Sequence, residues 1–448
     1  MSLLETPPSP DEEKAVYSKV TRRIIPFLLL CFCVAFIDRV NVGFAHLQME
    51  ADLGLSAAAF GLGAGIFFIG YLVFEVPSNL LMTRIGAKKT MSRIMVLWGI
   101  TSVCMMFVDS PATFYILRFL LGAFEAGFAP GLLLYLTYWY STKRRAKIMA
   151  LILVGIPVSG VIGGPLSGAI LSGMDEIGGL AGWQWMFLIE GVPALILGFL
   201  VWKVLADNPA DATWLDDREK AVVTHTIEED RASHGESHSS FRVALKDRRV
   251  WTLAFVYFAI SAGAYLLSFW LPTILKGLGS FSTWEIGLLV AIPYGFAAVV
   301  MLLNALHSDK TQERRWHLIA PGLLGIVGLL ATMQVSSPVF SMFYFSLATA
   351  GILATMPIFW SLPPQWLTGL AAAGGIAVIN SLGNVGGFVA PYLMGELIDR
   401  TGSTNAGLYT LSVLLFLGLA ATLSLRHKAE HRVADAPTVV TAGAADKS

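Results

Sequence analysis

Charge is what this sequence has least of. Only 14% of its 448 residues are Asp, Glu, Lys or Arg, against roughly a quarter in an ordinary soluble domain, while 55% are apolar and mean hydropathy is +0.66. That scarcity excludes an ordinary soluble domain and leaves a chain that crosses a membrane many times. An excess of one sign is missing too: 31 basic residues balance 31 acidic ones, so no nucleic-acid partner is expected. Cysteine is nearly absent. Cys31, Cys33 and Cys104 lie in apolar stretches, and Cys31-x-Cys33 has neither the spacing nor the partners of a zinc or redox site. The eight histidines sit in loops, tails or span edges, with no paired spacing for a metal and no nucleophile motif beside them. Neither metal, cofactor nor catalysis is therefore expected, and no pore-lining ring suggests a channel. No cleavable leader is expected either: residues 1–20 are polar and include Asp11, Glu12 and Glu13, so the N-terminus is expected to be retained.

What is present is apolar length. Twelve candidate spans, each near the roughly 20 residues that a bilayer core requires, fall at 24–46, 57–82, 91–109, 113–138, 147–171, 185–205, 250–275, 284–306, 317–335, 338–361, 369–396 and 405–425. The long polar stretch about 207–249 divides them six and six. The expected fold is an all-α membrane protein of two six-helix bundles, residues 1–206 and 250–448, joined by a cytoplasmic linker. Cytoplasmic loops are enriched in Lys and Arg, and 27 of the 31 fall on one side when the spans alternate. Both termini are expected inside, with Lys276 and Arg400 outside and Arg39 and Arg118 within spans.

An internal repeat supports two halves. Asn79-Leu-Leu-Met-Thr83-Arg84-Ile-Gly86-Ala-Lys88-Lys89 after the second span aligns at an offset of 226 with Ala305-Leu-His-Ser-Asp309-Lys310-Thr-Gln312-Glu-Arg314-Arg315 after the eighth. Both resemble the loop signature of the major facilitator superfamily, with Asn79 and Thr83, and Ala305 and Gln312, departing from it. Gly155 to Gly168 in the fifth span and Arg118-Phe-Leu-Leu-Gly122 in the fourth carry the same likeness. Phe36-Ile-Asp38-Arg39-Val-Asn41, Phe74-Glu75-Val-Pro77-Ser78-Asn79, Trp185-Met-Phe187-Leu-Ile-Glu190-Gly191 and Ile379-Asn380 to Tyr392 resemble the anion:cation symporter family. The resemblance implies a monomeric carrier whose two halves rock about a midplane site, with the loop residues Arg84, Gly86, Lys88, Lys89, Asp309, Lys310, Arg314 and Arg315 in gating or structural roles. It also implies a cavity reached by Tyr71, Ser361, Asn380 and Asn384. The aromatics Phe359, Trp360 and Trp366 could stack an aromatic substrate or anchor a span end.

The residues say something without the family. A charge in hydrocarbon costs about 2.5–3.5 kcal/mol on insertion scales, so buried charges face a cavity or a partner. Asp38-Arg39 in the first span and Arg118 and Glu125 in the fourth are such charges. Arg118 and Glu125, seven apart, share a helix face. At 1.5 Å per residue, Asp38 lies roughly 21 Å and Arg118 roughly 22 Å from the inner edge of the core, so they are expected partners. The competing reading, a helix that ends near Ile37 with the pair in the headgroups, leaves only about 21 Å of helix, too short to span. An arginine fork matches a carboxylate, which suits Arg39 or Arg118 to an anionic substrate, with a purely structural Arg118 as the alternative. Carboxyls in low dielectric can hold or release protons near neutrality, which suits Asp38 and Glu125. Drawing a monoanion into an inside-negative cell costs about 2.3 kcal/mol per 100 mV, which one proton cancels. The expected function is proton-coupled import of a small organic anion through a bacterial inner membrane. An exporter on the same fold and a non-transporting anion sensor are the alternatives. Glu75 and Glu190 are expected to be structural or gating, and the glycines of the second and fifth spans to serve close helix packing.

Overall fold

The computed structural model describes residues 7–234, 246–365 and 369–425, and among them every regular element is helical. Twelve stretches are long and apolar enough to cross a bilayer. In the first half they are built from α1 (Pro10–Val40), α2 (Val42–Leu53), α3 (Ala57–Ile85), α4 (Ala87–Cys104), α5 (Pro111–Glu125), α6 (Phe128–Thr137), α7 (Thr142–Leu153), α8 (Gly155–Gly173) and α9 (Gly182–Val204). The second half holds α11 (Arg248–Gly277), α12 (Thr283–Thr311), α13 (Arg315–Thr332), α14 (Pro338–Trp360), α15 (Gly369–Thr401) and α16 (Asn405–Leu423). Local sequence starts these helices. Ser9 and Ser282 close capping boxes with Glu12 and Glu285, and Ser56 and Ser110 accept from the third residues of α3 and α5, each cap stabilising its helix by roughly 1 kcal/mol.

Two features add to the sequence reading. The first span is one helical run from Pro10 to Leu53, turning only at Asn41, so Asp38-Arg39 lies deep inside it and does not cap its end. The polar connection is not structureless: α10 (Asp217–His234) lies within it, tied to α1 by Lys19 to Glu219 at 2.6 Å and Arg218 to Glu12 at 2.7 Å. The linker beyond His234 up to residue 245, the tail after Leu425, and Trp366 lie outside the described residues.

The halves meet along two helix pairs related by the repeat, with α3 matching α12 at an offset of 226 and α8 matching α15 at an offset of 227. In α3 against α15, Gly61 packs on the Pro391 carbonyl and Gly395 on the Ala57 carbonyl. In α8 against α12, the matching positions are Gly164 on the Gly287 carbonyl and Gly168 on the Thr283 carbonyl, where an added Cβ would sit 2.8 Å away in each case. Absent side chains let these backbones touch, the packing expected of membrane helices. The same two offsets relate Phe68 against Gly387 to Tyr294 against Gly160.

These approaches concentrate toward the end opposite the basic loops. There Asp399 accepts from the Ala57 and Ala58 amides at 3.1 and 2.9 Å, Lys276 donates to the Leu47 carbonyl at 3.0 Å and His46 pairs with Thr273 at 2.9 Å. Asp399 thus caps α3 from across the interface and latches that end shut. Asp399→Ala removes a cap worth about 0.5–2 kcal/mol. Maleimide labelling of an Ala57→Cys probe, buried in the closed end, is then expected to rise about 2- to 30-fold, since 1.4 kcal/mol is tenfold in population. Unchanged labelling would show that the latch does not hold the closed state.

Candidate functional site

The central site begins with two helices that carry charge at mid-depth. α5 stops at Glu125 because Ala126 turns extended and Gly127 takes φ +89°, after which α6 resumes the span. Non-helical backbone at membrane depth is tolerated only where protein or a cavity covers it. Glu125 is wholly buried, and both Nε and Nη2 of Arg39 donate to its Oε1, the former at 3.1 Å. The third arm of the arginine reaches across the interface, where Nη1 donates to the Tyr265 hydroxyl of α11 at 2.8 Å. Phe67 and Tyr71 of α3 lie under the guanidinium at 5.3 and 5.4 Å, within cation–π range. The Arg39 side chain is 13% exposed, so it is the one member of the pair with access to solvent.

Asp38 and Arg118 are not joined, contrary to the depth estimate. Asp38 accepts from Trp98 Nε1 at 2.5 Å, from the Ser102 hydroxyl at 2.5 Å and from Asn41 Nδ2 at 3.5 Å. Trp98 and Ser102 are four apart and so project from one face of α4, which takes the carboxylate before α5 can. Arg118 points to α3, donating from Nε to the Gly63 carbonyl at 3.2 Å and from Nη2 to the Ala64 carbonyl at 3.0 Å, over the Phe67 ring at 5.1 Å. Gly63 and Ala64 lie in a helix whose carbonyls are open to approach from α5 because Gly70 and Gly122 bring the two backbones together. Arg118 is wholly buried with Nη1 unpartnered.

Below the bridge, Asn380 Nδ2 of α15 donates to Glu75 Oε1 of α3 at 2.6 Å. Among the described residues this is the cross-interface hydrogen bond nearest the basic loops. Glu75 therefore links the halves, and Asn384 follows one turn along α15, buried. Ser361 stands apart: its hydroxyl donates to the Ile358 carbonyl at 2.7 Å, where it ends α14. Phe359 and Trp360 pack around Tyr257, with centroids 5.0 and 4.8 Å away, so Trp360 joins an internal aromatic cluster. Glu190 of α9 accepts from Ser167 at 2.7 Å.

The repeated loops both break their helix at a positive φ, but in different conformations. Gly86 ends α3 at φ +89°, ψ 161° and Gln312 ends α12 at φ +56°, ψ 18°, so the position where the signature expects glycine has positive φ in both, strained for Gln312. Asp207 accepts from the Lys88 amide at 2.8 Å, and Lys88 lies over Trp202 at 5.4 Å. In the second copy Arg314 pairs with Asp309 at 2.7 Å and Arg315 donates to the Leu423 carbonyl at 2.8 Å. Arg84, Lys89 and Lys310 are exposed.

Sequence reasoning missed Trp98, Ser102 and Tyr265. Tyr265 had a signal: it stands 226 residues after Arg39, the offset of the repeat. Ser102 and Thr101 were polar residues in an apolar span, and nothing marked Trp98.

Comparison with known proteins agrees with this architecture. A protein of Agrobacterium vitis named "Putative tartrate transporter" is 47% identical over 93% of this chain and 92% of its own. A protein of Acinetobacter baumannii named "Quinolone resistance transporter" is 42% identical over 94% and 97%. The crystal structure of a bacterial homolog to the human lysosomal transporter Spinster, inward-facing and occupied, superposes with a TM-score of 0.71 at 17% identity, covering 91% of this chain and 96% of that one. Residues 28–391 match the family described as Major Facilitator Superfamily. With twelve spans, offset-related halves and that match, the chain belongs to the major facilitator superfamily and is a membrane transporter.

Proposed function

We propose that this transporter imports a small organic carboxylate together with protons. The observation that carries the reading is the Arg39 bridge, in which one fork is shared between Glu125 of the first half and Tyr265 of the second. A substrate carboxylate competes with Glu125 for the same donors, and a proton on Glu125 removes the competitor. Proton and anion therefore favour each other's binding, the differential interaction that coupling requires. Arg39 takes the anion, and Arg118 packs α5 on α3. Tyr71, Asn380 and Asn384 line the path. The Glu75–Asn380 bond breaks as residues 1–206 and 250–448 rock about the linker at 207–249. The basic loops face the cytoplasm of a bacterial cell and the Asp399 latch faces outward, so the conformer described is closed to the outside. The carrier works as a monomer in the inner membrane.

The relative named for tartrate supports a hydroxy acid as the first substrate to try. The relative named for quinolone resistance favours a second reading, outward transport of a drug by the same protons. Reconstitution decides. With the purified protein in liposomes and an acid-outside gradient, tartrate or another carboxylate from a panel is expected to accumulate and to leave on addition of a protonophore. Gradient-driven movement of a quinolone and of no carboxylate would establish the exporter instead, and binding without movement the sensor.

Asp38 lies one residue from the bridge and is held by donors alone. Asp38→Asn keeps an acceptor for Trp98 and offers an N–H to the Ser102 hydroxyl, which can accept as well as donate, so it removes the exchangeable proton with little loss of the surrounding bonds. Gradient-driven accumulation is expected to be lost, while substrate counterflow, which needs no net proton movement, falls far less. Normal accumulation in the variant would remove Asp38 from the coupling path.

A further inference from the structure

At the basic end, away from the central site, a cavity of about 510 Å³ opens between α1, the end of α6 and α7. Lys143, Arg144 and Lys147 line it, with Glu13 as the one acid. Arg144 is fixed: Nη2 donates to Glu13 Oε1 at 3.0 Å and the guanidinium lies 4.1 Å from the centre of the Tyr17 ring. Its other N–H groups stay available. Lys143 and Lys147, four apart on α7, share a helix face, and among the described residues no carboxylate pairs with either.

A basic loop that served topology alone would need solvated cations and nothing more. This one has a wall. Tyr17 is 3% exposed and lines the cavity, and its hydroxyl has no partner at full hydrogen-bond geometry, the Thr226 hydroxyl beside it being a weak acceptor at best. A buried hydroxyl without a partner costs about 1–3 kcal/mol, so it marks a place for an acceptor. Thr21 and Tyr140, their hydroxyls 3.1 Å apart, complete the lining. Lys147 begins the fifth apolar stretch, and Thr21 precedes the first by about 3 residues, roughly 5 Å along the helix. The cavity thus lies at headgroup depth, which extends roughly 5–7 Å beyond the hydrocarbon core.

We propose that this cavity binds a phosphate group, with Lys143, Lys147 and Arg144 holding its oxygens and Tyr17 donating the deepest hydrogen bond. An anionic phospholipid headgroup and free phosphate share that chemistry, and the cavity's depth favours the lipid.

The test uses the full-length protein in detergent, titrated separately with short-chain phosphatidylglycerol, short-chain phosphatidylcholine and sodium phosphate, with thermal melting and native mass spectrometry as readouts. Saturable binding of phosphatidylglycerol is expected, tighter than phosphatidylcholine, weakened at least about tenfold in a Lys143→Gln/Lys147→Gln variant by loss of charge-assisted bonds. Tyr17→Phe, which keeps the ring under Arg144, is expected to weaken it about 3- to 10-fold by loss of one hydrogen bond. Displacement of the lipid by millimolar sodium phosphate, or saturable phosphate binding alone with the same sensitivity to the variants, would support the site with free phosphate as its occupant. If neither probe binds, or if both variants bind as the parent does while melting normally, the proposal is overturned.

Discussion

Glu125→Gln is expected to collapse gradient-driven accumulation to the equilibrium level while counterflow continues. Glutamine has nearly the shape of a protonated glutamate, so the variant resembles a carrier whose coupling site is permanently loaded. Arg39 then keeps Tyr265 and loses its anionic partner, which leaves the fork open to substrate but removes the proton whose arrival opened it. The same change carries a stability cost. Taking one partner from a buried ion pair destabilises by about 3–5 kcal/mol when the other charge is stranded, and the solvent access of Arg39, 13% against none for Glu125, places the cost at the lower end. Folded protein should therefore be recovered in reduced yield, and transport must be normalised to it. Uptake in reconstituted vesicles with and without an imposed pH gradient measures the effect. A variant that still concentrates substrate as the parent does would take Glu125 out of proton coupling and leave it a structural partner of Arg39.

Arg39→Lys is the second large effect, and its comparison with Arg118→Lys separates the two arginines. Lysine keeps the charge but has no planar fork, so it cannot face Glu125 with two nitrogens and Tyr265 with a third. An apparent KM increase of about 10- to 100-fold is expected, equivalent to about 1.4–2.8 kcal/mol, with near-normal folded yield. Arg118→Lys should behave in the opposite way. Its guanidinium spans two successive backbone carbonyls of α3, which an ammonium cannot do, so folded yield falls while KM for the surviving protein stays near the parent value. Unchanged KM in Arg39→Lys together with a raised KM in Arg118→Lys would move the anion site to Arg118.

Much of this arrangement could be read before any coordinates. Twelve apolar stretches, the polar division after the sixth and the offset of 226 led directly to the two bundles, because hydrocarbon permits so few backbone solutions that length and composition suffice. The glycines at 61, 164 and 168 were read as packing sites and do touch the opposite half. Asp38, Arg39, Arg118 and Glu125 stood out for the same energetic reason, since a charge in an apolar run must be compensated.

Their pairing was another matter. Counting 1.5 Å per residue placed Asp38 level with Arg118, but depth says nothing about which neighbour a helix turns toward. The rotation of α1 presents Asp38 to Trp98 and Ser102 on α4 and turns Arg39, about 100° around the helix, to Glu125 and Tyr265. The break after Glu125, where Gly127 adopts φ +89°, likewise could not be read from an apolar run with one glycine among many. Composition and periodicity therefore determined the class, the spans, the repeat and the identity of the buried charges, all of which depend on the energy of single residues or single helices in lipid. Which charge meets which, which arginine remains in reach of solvent, and which end of the carrier is latched by Asp399 depend on the azimuth and close approach of helices distant in sequence, and those are set only when all twelve pack together.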